Sequence, residues 1–133
     1  MQSGRRRLPV RFHDPVWREA IRGFSGRPLE IATSARATLE DRGVALADVT
    51  PCAANGPYRT RLAGCAKLYL PATDAPPSER PLAFILQLAR DTDGELVWVF
   101  VAYGHRHPAR GVRSVYERAH RQLHGKFPPP SSA

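Results

Sequence analysis

Residues 96–106 read Leu-Val-Trp-Val-Phe-Val-Ala-Tyr-Gly-His-Arg, and the seven from Leu96 to Ala102 are all apolar. β-branched and aromatic side chains dominate, and the run has the length of a strand rather than of a helix. Simple alternation places Leu96, Trp98, Phe100 and Ala102 on one face and Val97, Val99, Val101 and Tyr103 on the other. Both faces are apolar, so the segment is expected as a central strand covered on both sides. It ends in Gly104, His105 and Arg106, which lifts a titratable group and a cation to the rim of the sheet.

Working outward, Asp93-Gly94 is a strong hairpin signal, and the segment before it, residues 82–89 (LAFILQLA), is a second buried strand. Residues 71–81 carry four prolines and are expected as an exposed loop. Residues 65–70 (CAKLYL) and 58–62 (YRTRL) are two further strand candidates, the latter with Arg59 and Arg61 on one face. Toward the N-terminus, Asp14-Pro15 opens a helix carrying Trp17, Ala20, Ile21 and Phe24 at helical spacing. Pro28 opens a second, with Leu29, Ala32, Ala35 and Leu39 on one stripe and Arg42-Gly43 closing it. After the central strand, Val112, Val115, Tyr116, Ala119 and Leu123 mark one face of a closing helix that ends at Gly125. The expected fold is α+β: an N-terminal helical hairpin packed on a small antiparallel sheet, with a C-terminal helix. Residues 9–125 form one domain, between a basic flexible arm (1–8) and a Pro-rich flexible tail (126–133).

The chain has 133 residues and a formal net charge of +8. A basic surplus of this size favours polyanionic partners such as nucleic acid, the ribosome or an acidic protein. Lys67 and Lys126 are the only lysines, so the charge is almost wholly arginine; this composition also fits the codon habit of a GC-rich genome. Two cysteines, Cys52 and Cys65, form no CxxC and are too few for a disulfide framework, so a reducing, cytoplasmic setting is expected. No apolar stretch follows Arg5, Arg6 and Arg7 as a secretory signal would require, and no run approaches the ~18 residues of a membrane span. There is no P-loop, dinucleotide fingerprint or nucleophile elbow.

Folded as one sheet, the chain would gather Arg59, Arg61, Lys67, His105, Arg106 and Tyr116. Such a set suits metal-free cleavage of an RNA backbone. A base takes the proton of the 2′-hydroxyl, cations hold the charge that develops on the phosphorus oxygens, and an acid protonates the leaving oxygen. Arginine meets phosphate through paired donors, and histidine titrates near neutral pH. Each residue also has a plainer role. Tyr116 lies on the apolar stripe of its helix, His105 sits where a cap or solvated residue would, and Arg59 and Arg61 fit a solvated or protein-docking face. His120 and His124 form an i, i+4 pair with metal-ligand spacing, but no carboxylate or cysteine joins them, so no metal or other cofactor is assigned.

The order YRTRL, glycine, apolar hairpin ending in GHR, then Val115-Tyr116 on a helix resembles the RelE/ParE superfamily of bacterial type II toxin–antitoxin toxins. The resemblance covers roughly residues 12–123. It implies a RelE-like fold and a toxin that acts as a metal-independent mRNA endonuclease on the ribosome, held in check by a cognate acidic antitoxin. By the resemblance Arg59, Arg61, Arg106 and Tyr116 stand at the family's site positions, with Lys67 or Arg90 as a further cation; with His105 added as acid or base, the expected catalytic set is Arg106, His105, Tyr116 and Arg61, and Arg59, Lys67, Arg90 and Arg113 are expected to contact RNA phosphates. The alternatives are a ParE-like toxin that inhibits DNA gyrase by binding and a catalytically inactive basic binding domain. The proline-rich segment 71–81 departs from the tight turn usual in the family.

Overall fold

In the computed structural model the described residues are 6–53, 60–70, 81–109 and 111–128. The order of elements is β1 (Arg7–Leu8), β2 (Val10–Arg11), α1 (Asp14–Ile21), α2 (Gly26–Arg42), β3 (Val44–Ala45), β4 (Thr50–Pro51), β5 (Cys65–Leu70), β6 (Leu82–Arg90), β7 (Leu96–His105) and α3 (Val115–His124). The class is α+β. Among the described residues the main sheet has five strands in the order β2-β7-β6-β5-β4, and β1 pairs with β3 in a small separate sheet.

Two expectations need correction. The sheet is mixed, because β2 pairs parallel with β7 through Val10↔Trp98 and Arg11↔Val99, while β4 to β7 are antiparallel. The two leading helices also do not form a hairpin. α1 packs on β7 instead of running along α2. The cause is the short joint at Arg22 to Ser25, together with apolar faces that both seek the sheet: Trp17 and Ala20 of α1, and Ala32 and Leu39 of α2, enter the same core as Phe84 and Phe100.

The expected basic arm contributes a strand. Leu8 is buried, and β1 crosses Gly43, the residue after α2. Gly43 has φ +65°, and a Cβ there would lie 2.3 Å from the carbonyl oxygen of Leu8, so both conformation and space demand glycine. The chain 71–80 and residues 54–59 lie outside the described residues, so the loop and most of the YRTRL strand, Arg59 included, are not placed. Of that strand the structure describes Thr60, Arg61 and Leu62, and only Arg61 makes a bridge.

β6 and β7 are joined by the expected turn. Asp91 accepts from Gly94 through its carbonyl and donates its own N–H to Glu95 O at 2.7 Å. Their pairing is not uniform: Leu86 faces Phe100 but Ile85 faces Ala102, so Val101 is an extra residue, a β-bulge. The bulge reverses the alternation beyond it. Tyr103 therefore joins Trp98 and Phe100 in the core under α1 and α2, while Val101 and Ala102 join Ile85 and Ala83 in a second core under α3. The sheet is thus a middle layer, with α1 and α2 on one side and α3 on the other.

On the first side, Phe84 is the hub of an aromatic cluster, with its ring centroid 5.0 Å from Phe100, 5.5 Å from Tyr103 and 6.1 Å from both Phe12 and Trp17. The Tyr103 hydroxyl donates to Pro28 O at 2.6 Å, tying β7 to the start of α2, and burial pushes its pKa up to about 12. On the second side, α3 starts with a full capping box: the Ser114 hydroxyl accepts from Glu117 N–H, and the Glu117 carboxylate accepts from Ser114 N–H. Val115, Tyr116 and Ala119 are the buried face of this helix; Val112, expected on the same stripe, lies before the helix and is exposed.

Candidate functional site

The bulge decides which residues meet at the end of β7. Without it, Arg106 would share the aromatic-core face with Trp98 and Phe100; with it, Arg106 projects to the α3 side. Its backbone is fixed because its N–H donates to Pro81 O at 2.7 Å, extending the β6–β7 ladder by one step. Its guanidinium stacks over the ring of Tyr69, 4.5 Å from the centroid. On β5, Lys67 and Tyr69 are two residues apart and share a face. Lys67 Nζ lies 5.7 Å from the Tyr69 ring and 5.5 Å from the Tyr116 ring. The imidazole of His107 stands 6.3 Å from the ring of Tyr116. These five side chains converge at one corner, where the ends of β5 and β7 meet the first turn of α3.

The corner is built to hold charge in place. Cations within ~6 Å of aromatic faces are attracted by the ring quadrupole and kept from wandering. Arg106, Lys67 and Tyr69 are half-buried, Tyr116 is buried and His107 is exposed. The arrangement offers two cations for an anionic centre, an imidazole able to carry a proton, and two phenols. It offers no thiolate. Burial pushes the Cys65 thiol up to about 12, helped by neighbouring Cys52, and burial also raises Cys52 despite the opposing charge of Lys67.

Of the expected site residues, Arg106, Lys67 and Tyr116 are brought together. His105 is not: the bulge turns it to the other face, where its ring lies 6.0 Å from Phe24. Arg90 is at the far end of the sheet, donating to Gly94 O at 2.8 Å. β6 runs from Leu82, opposite His105, to Arg90, which separates the two sites by about 25 Å at the strand rise. Arg113 lies just before α3, paired with Glu117 at 2.8 Å and stacked 4.2 Å from the centre of the Phe127 ring. Phe127 thereby anchors the start of the expected tail. Two residues of the corner, Tyr69 and His107, were not among the expected site residues. Tyr69 was legible from its spacing to Lys67; His107 was not, because its position depends on the turn after β7.

Arg61 is held next to the corner by the histidine pair of α3. Its backbone N–H donates to His120 Nδ1 at 3.0 Å, and its carbonyl accepts from His124 Nε2 at 3.0 Å. The i, i+4 spacing that resembles a metal site thus grips one peptide segment. His120 lies one helical turn, about 6 Å, beyond Tyr116, and the Arg61 side chain is exposed there.

His120 must be neutral to accept at Nδ1. Burial lowers its pKa, and the nearby His124, Arg61 and Lys126 lower it further. The unfolded chain therefore binds a proton near pH ~6.5 that the folded chain refuses. This contribution is intact at neutral pH and is lost as pH falls below that value, until the folded imidazole protonates too. His120→Asn keeps an acceptor at the place of Nδ1 and removes the titration. The stability gap between parent and His120→Asn, measured by urea unfolding, should shrink from pH 7.5 to pH 5; a gap independent of pH would show that His120 is not held neutral.

Among the described residues no helix is long and apolar enough to cross a membrane, and no group of three or more His, Cys, Asp or Glu side chains could hold a metal ion. No protein-family model, curated protein or solved structure matches the chain.

Proposed function

We propose that the corner formed by Lys67, Tyr69, Arg106, His107 and Tyr116 is the active centre of a metal-independent endoribonuclease, and that the chain is a cytoplasmic toxin of RelE type. The observation that carries this reading is the stacking of the Arg106 guanidinium on Tyr69 beside Lys67 and Tyr116. Two fixed cations at one corner, with an imidazole beside them, match what 2′-hydroxyl attack on a phosphodiester requires. In this scheme Arg106 and Lys67 take the charge on the non-bridging oxygens, His107 exchanges protons, and Tyr69 and Tyr116 hold the cations or stack on a base. The succession of a short strand, two helices, an antiparallel run β5–β7 and a closing helix supports the RelE-like arrangement. The substrate is mRNA, with the ribosome as its setting. The +8 charge fits an acidic antitoxin partner that neutralises the basic surface.

The test is induced expression in a bacterial host, followed by mapping of reporter mRNA ends and by cleavage with purified ribosomes. Growth arrest with new mRNA ends, relieved by an acidic partner encoded beside it, is the expected result. A harmless chain that cuts no RNA overturns the reading. Arrest without cleavage moves the assignment to a gyrase-binding toxin.

A further inference from the structure

The corner described above uses one side of α3; the opposite side of that helix meets α1 across the outer edge of β7. There β2 covers only Trp98 and Val99, so on this edge, opposite β6, the rest of β7 has no strand beside it among the described residues. Two cavities lie along this edge. The larger, about 560 Å³, is bounded by α1, by Val101 to Tyr103 of β7, and by α3. The smaller, about 350 Å³, reaches Phe24 and His105. Both are lined by Arg22, Arg113 and Arg118, so they form one groove.

The groove is strongly cationic. Arg121 lines its larger part as well, Glu19 is the only carboxylate among the described lining residues of either cavity, and Glu117, outside the lining, pairs with Arg113. Glu19 is shared between Arg22 at 3.3 Å and Arg121 at 4.0 Å. Arg118 is different. Among the described residues no carboxylate pairs with it. It crosses from α3 to donate to Ala20 O at 3.4 Å, and its guanidinium lies 5.3 Å from the centre of the Phe24 ring. Burial lowers its pKa, with the charge of Arg121 adding to the shift and that of Glu19 opposing it, so it is a partly desolvated cation that shares its nearest anion with Arg22 and Arg121. At one end of the groove, Phe127 is stacked between Arg113 and Arg121, at 4.2 and 4.9 Å.

We propose that this edge groove binds the phosphodiester backbone of single-stranded RNA and delivers the strand to the corner around Arg106. The groove is an elongated track of cations with aromatic walls at Phe24 and Phe127, the combination that follows a nucleic acid single strand. It reaches His105 at the end of β7, and Arg106, the next residue, lies on the opposite face, so a strand leaving the groove has to round the rim of the sheet to reach the corner. An acidic peptide would instead exploit the open strand edge by adding a strand, but Val101, Ala102 and Tyr103 are each no more than 3% exposed, which leaves their backbone little room for a partner. RNA as the polyanion rests on the ribonuclease reading of the neighbouring corner.

Binding is measured by fluorescence anisotropy with a labelled 2′-O-methyl oligonucleotide, which cannot be cleaved. Arg22 and Arg121 have side chains 78% and 53% exposed, so Arg22→Gln with Arg121→Gln should fold normally. This double variant should lose about 10-fold or more in affinity, and its slope of log affinity against log salt should flatten by about 1.4, two contacts at about 0.7 each. Arg118→Lys should lose affinity too, because it keeps the charge but not the fork. Unchanged affinity and salt slope in the folded double variant overturn the groove. So does tight binding of inorganic tripolyphosphate or poly-glutamate without binding of the oligonucleotide. If the oligonucleotide binds, the double variant loses it and the parent cuts no RNA under any condition, the groove stands and the ribonuclease reading alone falls.

Discussion

Arg106→Ala is expected to lower RNA cleavage by about 10²-fold or more, the size of effect seen when one preorganised oxyanion donor is removed. The magnitude follows from how the residue is held. Its N–H is in the ladder to Pro81, and its guanidinium is stacked on Tyr69, so little reorganisation remains when charge develops on the phosphate. Losing that stack costs stability as well, about 0.5–2 kcal/mol, which is small against the activity lost. Arg106→Lys keeps the charge and loses the planar fork, so it should recover only part of the rate. Tyr69→Leu should act in the same direction by freeing the guanidinium while leaving its charge in place. The measurement is initial cleavage of a reporter mRNA with ribosomes, on variants whose melting curves show them folded. A folded Arg106→Ala protein that cuts at the parental rate would remove this corner from the reaction.

That corner was half legible in the sequence. The apolar run from Leu96 marks β7 without ambiguity, and Gly104-His105-Arg106 marks its rim. Lys67 and Tyr69 announce a shared face by their spacing alone. What the sequence does not announce is the bulge at Val101. One extra residue in a run of valines and aromatics leaves composition and hydrophobicity unchanged, yet it inverts every side chain that follows. His105 and Tyr103 exchange faces with Arg106 for this reason, and His107 takes the place expected of His105. The helices show the same division. The start of α1 and the ends of α2 and α3 were readable from Pro15, Gly43 and Gly125, although α1 stops at Ile21, short of the Phe24 expected on it; their packing was not, because apolar stripes show only that a face is buried and not against which element. The parallel pairing of β2 was hidden likewise: Val10 and Arg11 are too few residues to carry a pattern.

Phe84→Ala should be the most destabilising single change in the molecule, by about 3–5 kcal/mol. Phe84 is fully buried and its ring touches four other aromatic rings from β7, α1 and the segment before α1. Removing it opens a cavity where elements from distant parts of the chain meet, so no local rearrangement can close it. Set against a domain stability of about 5–15 kcal/mol, the loss takes about a fifth or more of the total. The melting temperature should fall by roughly 10–20 °C on the unfolding entropy usual for a chain of this length. Phe84→Leu, which keeps most of the volume, should cost far less. Function should follow stability and nothing else. Phe84 and Tyr103 lie on the α1 side of the sheet, whereas Ala83 and Ile85 form the floor beneath α3. The corner should therefore survive in whatever fraction stays folded, and cooling should restore RNA cleavage to Phe84→Ala but not to Arg106→Ala. Melting of Phe84→Ala within about 4 °C of the parent, the shift of about 1 kcal/mol, would mean that Phe84 is not the hub on which α1 and the sheet are joined.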